Sequence, residues 1–271
     1  MASTLISLLL SAGTALASSP AAPPVVHVRA MDYSFTAPAS IRAGVTTFRL
    51  TNAGKELHHL SIVRLPKGKT VADYLAAVQA EGHPPMWATD VGGPNAAIPG
   101  ATIEATVSLD AGNYALVCFI PSPGKPVPHL MKGMVRPLTV RAPVRAGTMP
   151  AADVDIRLSD YTFALSKPLT AGRHVVRVTN DAEQPHEAII IRLDPGKSIT
   201  DASVWVEQGM QGPPPGMVLA GMSPISKGRS ATFPVLMTAG TYGLICFLPD
   251  AKDGKQHDKH GMVQQFEVAA R

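Results

Sequence analysis

Apolar and polar positions alternate in short runs along this chain, and turn residues separate the runs. Val25 to Ala30, Asp32 to Phe35 with Ile41, Val45 to Asn52 and Leu60 to Leu65 each read as extended segments. Ile103 to Leu109, Asn113 to Phe119 and Met134 to Val140 follow in the same style, with Asp110-Ala111-Gly112 as a hairpin turn. One segment departs from the pattern. Thr70 to Gly82, TVADYLAAVQAEG, predicts a helix, because Thr70 and Asp73 have the spacing of a capping box and Gly82 supplies the stop. Gly92 to Gly100 is a turn-rich loop. Short strands, regular turns and one inserted helix predict an all-β fold, a Greek-key β-sandwich or partly open barrel.

The whole pattern then occurs again. Tyr114 to Met134, YALVCFIPSPGKPVPHLMKGM, aligns without a gap on Tyr242 to Met262, YGLICFLPDAKDGKQHDKHGM. The offset of 128 positions also carries Asp32-Tyr33 onto Asp160-Tyr161, Asn52 onto Asn180, His58 onto His186 and Gly68-Lys69 onto Gly196-Lys197. A second helix with the same cap, Ser198 and Asp201, is expected over Ser198 to Gly209. The unit is far longer than a solenoid repeat of roughly 20–50 residues, so a complete domain has been duplicated. The expected layout is one domain over residues 25–141, a linker over 142–152 and a second domain over 153–271.

Composition narrows the class. A net charge of +4 is spread over 24 basic and 20 acidic residues, with no basic cluster among aromatics, so no nucleic-acid partner is expected. The mild excess would suit an acidic protein partner, but a mixed solvated surface accounts for it better. Residues 1–17 read as a secretory signal peptide, with the apolar run Leu5 to Leu10 and Ala15-Leu16-Ala17 as cleavage pattern, and 18–24 as a Pro-rich lead-in. The apolar run is too short to span a bilayer. The expected location is therefore the periplasm or the cell exterior, without stable membrane insertion.

Two cysteines make no disulfide framework. Each stands in the same motif, Cys-x10-His-x4-Met, as Cys118, His129, Met134 and Cys246, His257, Met262. Thiolate, imidazole and thioether together form the donor set of a blue-copper electron-transfer site, and one loop supplies three of them. The histidine still needed has a candidate at the constant offset, His58 in one copy and His186 in the other. Two blander accounts stand beside this one: inert buried cysteines in a metal-free shell, and a Cys118–Cys246 disulfide.

NAGKELH, ending at His58, NDAEQPH, ending at His186, and the two Cys–His–Met loops resemble the cupredoxin family of plastocyanin, azurin and nitrite-reductase relatives. The resemblance covers both repeats. It implies two copper sites, one per domain: His58, Cys118, His129 and axial Met134, then His186, Cys246, His257 and axial Met262. The Cys-to-His spacing is longer than in small members of the family, so the loops must fold back for His129 and His257 to reach a metal. His59 and Glu187, which follow the first histidines, are expected to be exposed by strand alternation. Met131, His260, His27, His83 and His174 are assigned no role, and Met86, Met210, Met217 and Met222 are expected to form an apolar lid.

Val117, Phe119, Ile245 and Phe247 flank the cysteines, with no histidine beside either. On that ground no enzyme is expected, but a one-electron carrier. Copper storage or delivery, and a metal-free interaction module, are the alternatives.

Overall fold

The computed structural model describes residues 22–143 and 147–270, so the leader expected over 1–17 lies outside the described residues. The first repeat contributes β1 (Val25–Met31), β2 (Ser34–Thr36), β3 (Ser40–Arg42), β4 (Gly44–Asn52), β5 (Ser61–Leu65), α1 (Val71–Glu81) and β6 (Thr89–Gly92). It continues with β7 (Thr102–Leu109), β8 (Gly112–Val117) and β9 (Val135–Arg141). The second contributes β10 (Val154–Ser159), β11 (Thr162–Leu165), β12 (Gly172–Asn180), β13 (His186–Leu193) and α2 (Ile199–Glu207). β14 (Gly216–Ile225), β15 (Ser230–Met237), β16 (Gly240–Ile245) and β17 (Val263–Val268) complete it.

These strands form two mostly antiparallel sheets. One has the order β11-β10-β12-β15-β7-β4-β1-β2, the other β17-β16-β13-β14-β6-β5-β8-β9-β3. Alternation does the sorting: in β1, Val26, Val28 and Ala30 face the core while their neighbours face water. β5 and β13 break the alternation because both of their faces are covered. Their outer faces carry the helices, with Tyr74 and Val78 of α1 over Val63 and Leu65, and Ile199 and Ala202 of α2 over Ile189 and Ile191. Both expected capping boxes are formed, at Thr70 with Asp73 and at Ser198 with Asp201.

Both sheets run without interruption from one repeat into the other. β6 meets β14 at Val91 and Ile225, and β7 meets β15 through Thr106–Thr232 and Val107–Ala231. Pro94 bridges Met222, its own counterpart at the 128-residue offset, so the repeats meet about a pseudo-two-fold axis. Pairing removes the four sheet edges, β6, β14, β7 and β15, that separate sandwiches would expose. Beside the seam, the first repeat's own backbone segments approach closely. A Cβ on Gly93, whose φ is +132°, would lie 2.1 Å from the Leu60 carbonyl oxygen. Gly93→Ala is expected to destabilise the fold by about 2 kcal/mol or more, read as a fall in urea midpoint.

β6 and the long β14 were not among the expected strands. The methionines read as a lid are dispersed instead: Met222 lies in the core on β14, Met210 is buried, and Met86 is 89 % exposed. Among the described residues no helix is long and apolar enough to cross a membrane.

Candidate metal centre

Each candidate histidine is delivered by a tied-down loop. Asn52, at the end of β4, donates from Nδ2 to the Glu56 and Ala97 carbonyls and accepts the Gly54 N–H, which fixes the turn leading to His58. Asn180 repeats this with the Gln184 and Ile225 carbonyls and the Ala182 N–H. The long Cys-to-His loops do fold back. A bridge between Pro121 and Pro128 closes the first, the His129 N–H donates to the Ile120 carbonyl, and a 3-10 turn over His129–Lys132 follows. Pro249–Gln256, His257 with Leu248, and the turn His257–His260 do the same in the second repeat. Leu130 N–H to Cys118 oxygen, and Asp258 N–H to Cys246 oxygen, then lock each histidine beside its cysteine.

The side chains converge. His58 Nδ1 and His129 Nδ1 are 3.1 Å apart, and Cys118 Sγ is 3.5 Å from the latter. In the second repeat the distances are 3.0 Å between His186 and His257 Nδ1, and 3.4 Å from Cys246 Sγ. All six side chains have no exposed surface. Met134 and Met262 are equally buried, and their carbonyls accept the Cys118 and Cys246 N–H groups. Both cysteines are free, and each faces its own repeat's histidines rather than the other cysteine.

A second layer, absent from the expected site, sets the proton positions. His58 Nε2 is 2.8 Å from Asp32, and His129 Nε2 is 2.8 Å from Glu56. Partial burial pushes both carboxylates up. For Asp32 the His58, Lys55 and Glu56 hydrogen bonds outweigh it, for Glu56 those of Ser122, Tyr33 and His129, and both end below their usual range. An ionised carboxylate can only accept, so each Nε2 carries the proton and each Nδ1 presents a lone pair inward. Burial keeps His129 neutral by lowering its pKa.

In the second repeat Asp160 holds His186 Nε2 at 2.9 Å, and Gln184 stands behind His257 at 3.2 Å. Gln184 replaces Glu56, while Asp250 replaces Ser122, so the acid has changed places between two neighbouring positions. Tyr161 and Gln184 donate to Asp250 and hold its pKa far below normal. Burial, then the neighbouring His186, lowers His257 to about 4. Tyr33 and Tyr161, whose hydroxyls reach these acids, both sit at positive φ of 66° and 67°. The repeated Asp-Tyr pair was the one visible sign of this layer.

Two lone pairs and a sulfur facing one another across about 3 Å, with no proton between the nitrogens, form a pocket that fits a soft cation. Without one, burial pushes the Cys118 thiol up to about 12 and raises Cys246 well above the usual thiol range. The His59 and Glu187 N–H groups point at the two sulfurs, each at 3.5 Å.

No family model and no curated protein matches the chain. Solved structures similar to it include auracyanin A, a "blue" copper protein from Chloroflexus aurantiacus, at 20 % identity and TM-score 0.32, over 44 % of this chain and 100 % of that one. A multicopper oxidase is similar at 12 % identity and TM-score 0.27, over 90 % of this chain and 88 % of that one. The copper nitrite reductase of Nitrosomonas europaea covers 92 % of this chain and 94 % of its own, at 14 % identity and TM-score 0.25. The chain itself is all-β in architecture, two tandem repeats of strands that share two sheets.

Two expectations change. The exclusion of an enzyme does not stand: each repeat holds a buried His–Cys–His cluster that could hold a metal ion, and the residues flanking the cysteines exclude no reaction there. The missing histidine beside each cysteine bears only on one route to a second metal, not on chemistry at the clusters themselves. His59 and Glu187 are also not exposed. Both are buried, because the seam covers the face that strand alternation turns away from the cluster. Among the other histidines, His174 is buried between Asp153 and the Thr170 carbonyl, and His260 stacks on Tyr161.

Proposed function

We propose that the chain binds copper in both repeats, up to one ion in each, and transfers single electrons. His58, Cys118, His129 and Met134 would hold the first ion, and His186, Cys246, His257 and Met262 the second. The observation that carries this is the doubled convergence of two inward Nδ1 atoms and one sulfur, with both outer nitrogens already engaged. Copper supplies a one-electron couple when bound. The residues supply a rigid setting. Asp32, Glu56, Asp160 and Gln184 hold the rings in one tautomer, and full burial excludes water, so the donors need not move between oxidation states.

Titration of the metal-free protein with Cu(II), followed by visible absorption, tests the proposal. An intense thiolate charge-transfer band saturating at one ion per repeat is the expected result. Copper bound without that band would indicate storage or delivery, and no stoichiometric binding would refute the copper reading. Nitrite reduction and oxygen-coupled oxidation are assayed on the same material, since such enzymes are among the similar structures. Export to the periplasm or exterior belongs to the same proposal, and an acidic electron-exchange partner would suit the net charge of +4. A mature chain beginning just after Ala17 would support export.

A further inference from the structure

A buried polar bridge crosses the seam from one cluster to the other. It starts at Phe119, the residue bonded to Cys118, whose N–H donates to His59 Nε2 at 2.8 Å. A neutral His59 ring therefore carries its proton on Nδ1. His59 is joined in turn to Asn95 through the main chain, where the N–H of Leu60, the next residue, donates at 2.9 Å to the carbonyl of Pro94, the residue before Asn95. Asn95 Nδ2 reaches over the seam to Glu187 Oε2 at 2.7 Å, and also donates to the Met222 carbonyl at 3.2 Å. Glu187 Oε1 accepts the N–H of Phe247, the residue bonded to Cys246, at 3.0 Å. His59, Asn95 and Glu187 are 5 %, 1 % and 5 % exposed.

Buried polar groups must find partners, and a bridge of this kind could serve the seam alone. Two observations ask for more. Both ends terminate on the amide that follows a cluster cysteine, so covalent and hydrogen bonds connect the two sulfurs without a gap. The seam also has its own main-chain pairing, in which Ser223 donates to the Gly93 carbonyl at 2.8 Å and Asn95 to the Gly221 carbonyl at 3.4 Å. Ser223, the repeat counterpart of Asn95, turns its hydroxyl to the Pro94 carbonyl and takes no part in the bridge. The polar trio is an addition to a seam that closes without it.

We propose that His59, Asn95 and Glu187 form the route by which one electron passes between the two centres inside a single chain. The proposal rests on the copper reading above. The reduced centre loses one electron and the oxidised centre of the other repeat gains it; no bond is made or broken, no proton moves, and each centre is the other's co-reactant. Electronic coupling decays less steeply through bonded and hydrogen-bonded atoms than across van der Waals gaps, which makes this continuous path the effective one. The pseudo-two-fold packing thereby joins two sites, rather than leaving two independent carriers.

Full-length protein loaded with copper is given a substoichiometric pulse of radiolytic electrons, and redistribution between the centres is followed at their absorption bands. In the wild type the redistribution rate is expected to be independent of protein concentration. Asn95→Leu, which removes the central amide and keeps its bulk, is expected to slow it by about tenfold or more. Ser223→Ala, at the same seam but off the bridge, should leave the rate unchanged, and neither variant should alter the spectra or potentials of the centres. In metal-free protein, Asn95→Leu should also speed hydrogen exchange at the Phe247 amide, because its acceptor Glu187 loses the Asn95 partner that fixes it. Should Asn95→Leu not fold, Asn95→Ser takes its place with the same expectation. Paired copper centres whose exchange is bimolecular in wild type, or unaffected by loss of Asn95, would overturn this inference alone. Absence of paired centres would overturn the copper reading with it.

Discussion

Cys118→Ser is expected to bind half the copper of the wild type and to keep only the charge-transfer band of the second centre, and Cys246→Ser to give the reciprocal result. The reason is the division of labour within each cluster. The histidine nitrogens are borderline donors that many metals accept, whereas the sulfur supplies the soft, strongly donating contact. A serine oxygen at a position with no exposed surface offers neither softness nor ready ionisation. Losing a supporting residue around a metal typically costs about 10–100-fold in affinity, and losing the thiolate itself is expected to cost more. The unloaded fold should suffer little, about 1–2 kcal/mol, because the hydroxyl still meets the His59 or Glu187 N–H. Copper content and visible spectra of the two single variants and the double variant check this. A single variant that retains the full copper complement would sink the ligand assignment for that repeat.

The second large effect concerns Asp90, on β6 at the seam. Its main-chain groups are bonded to Ser226, but its carboxyl is buried, and burial raises its pKa from 3.8 to about 7. The buried Tyr74 hydroxyl, whose own pKa is raised chiefly by burial and further by Asp90, has no partner. A folded-state pKa above the unfolded one means that the native state binds the extra proton. Stability from this group is therefore complete below pH 4 and lost as pH climbs toward and past 7. Asp90→Asn removes the titration while keeping the shape. It should match the wild type at pH 4 and exceed it by about 2–4 kcal/mol at pH 8.5, given a carboxyl raised from 3.8 to about 7. Urea midpoints of metal-free protein at the two pH values provide the measurement. A difference that does not change with pH would show that Asp90 is not titrating in the core.

These two residues differ in how visible they were. Cys118 and Cys246 stand out from the chain because a spacing repeated at one offset is a one-dimensional signal. Asp90 carries no such mark, since only the closure of β6 against β14 desolvates it. His59 misled for a related reason. Alternation correctly turns it away from its own cluster, yet the surface it turns to is covered by the other repeat. The supporting acids were half legible: Asp32 and Asp160 keep the offset, but the exchange of Glu56 and Ser122 for Gln184 and Asp250 hides one acid from a position-by-position comparison.

By itself, the order of residues determined the duplication, the alternating strands, both capped helices and the doubled Cys–His–Met motif, because these depend on neighbours along the chain. Only the tertiary structure decided that the long loops return His129 and His257 to the sulfurs, that carboxylates behind the rings aim Nδ1 inward, and that two sandwiches fuse into shared sheets. Those outcomes depend on contacts between residues 11 to 136 positions apart, such as Cys118 with His129, Asp32 with His58 and Asp90 with Ser226. Such contacts form only when burial of both inner faces brings distant segments together, and no local pattern encodes that closure.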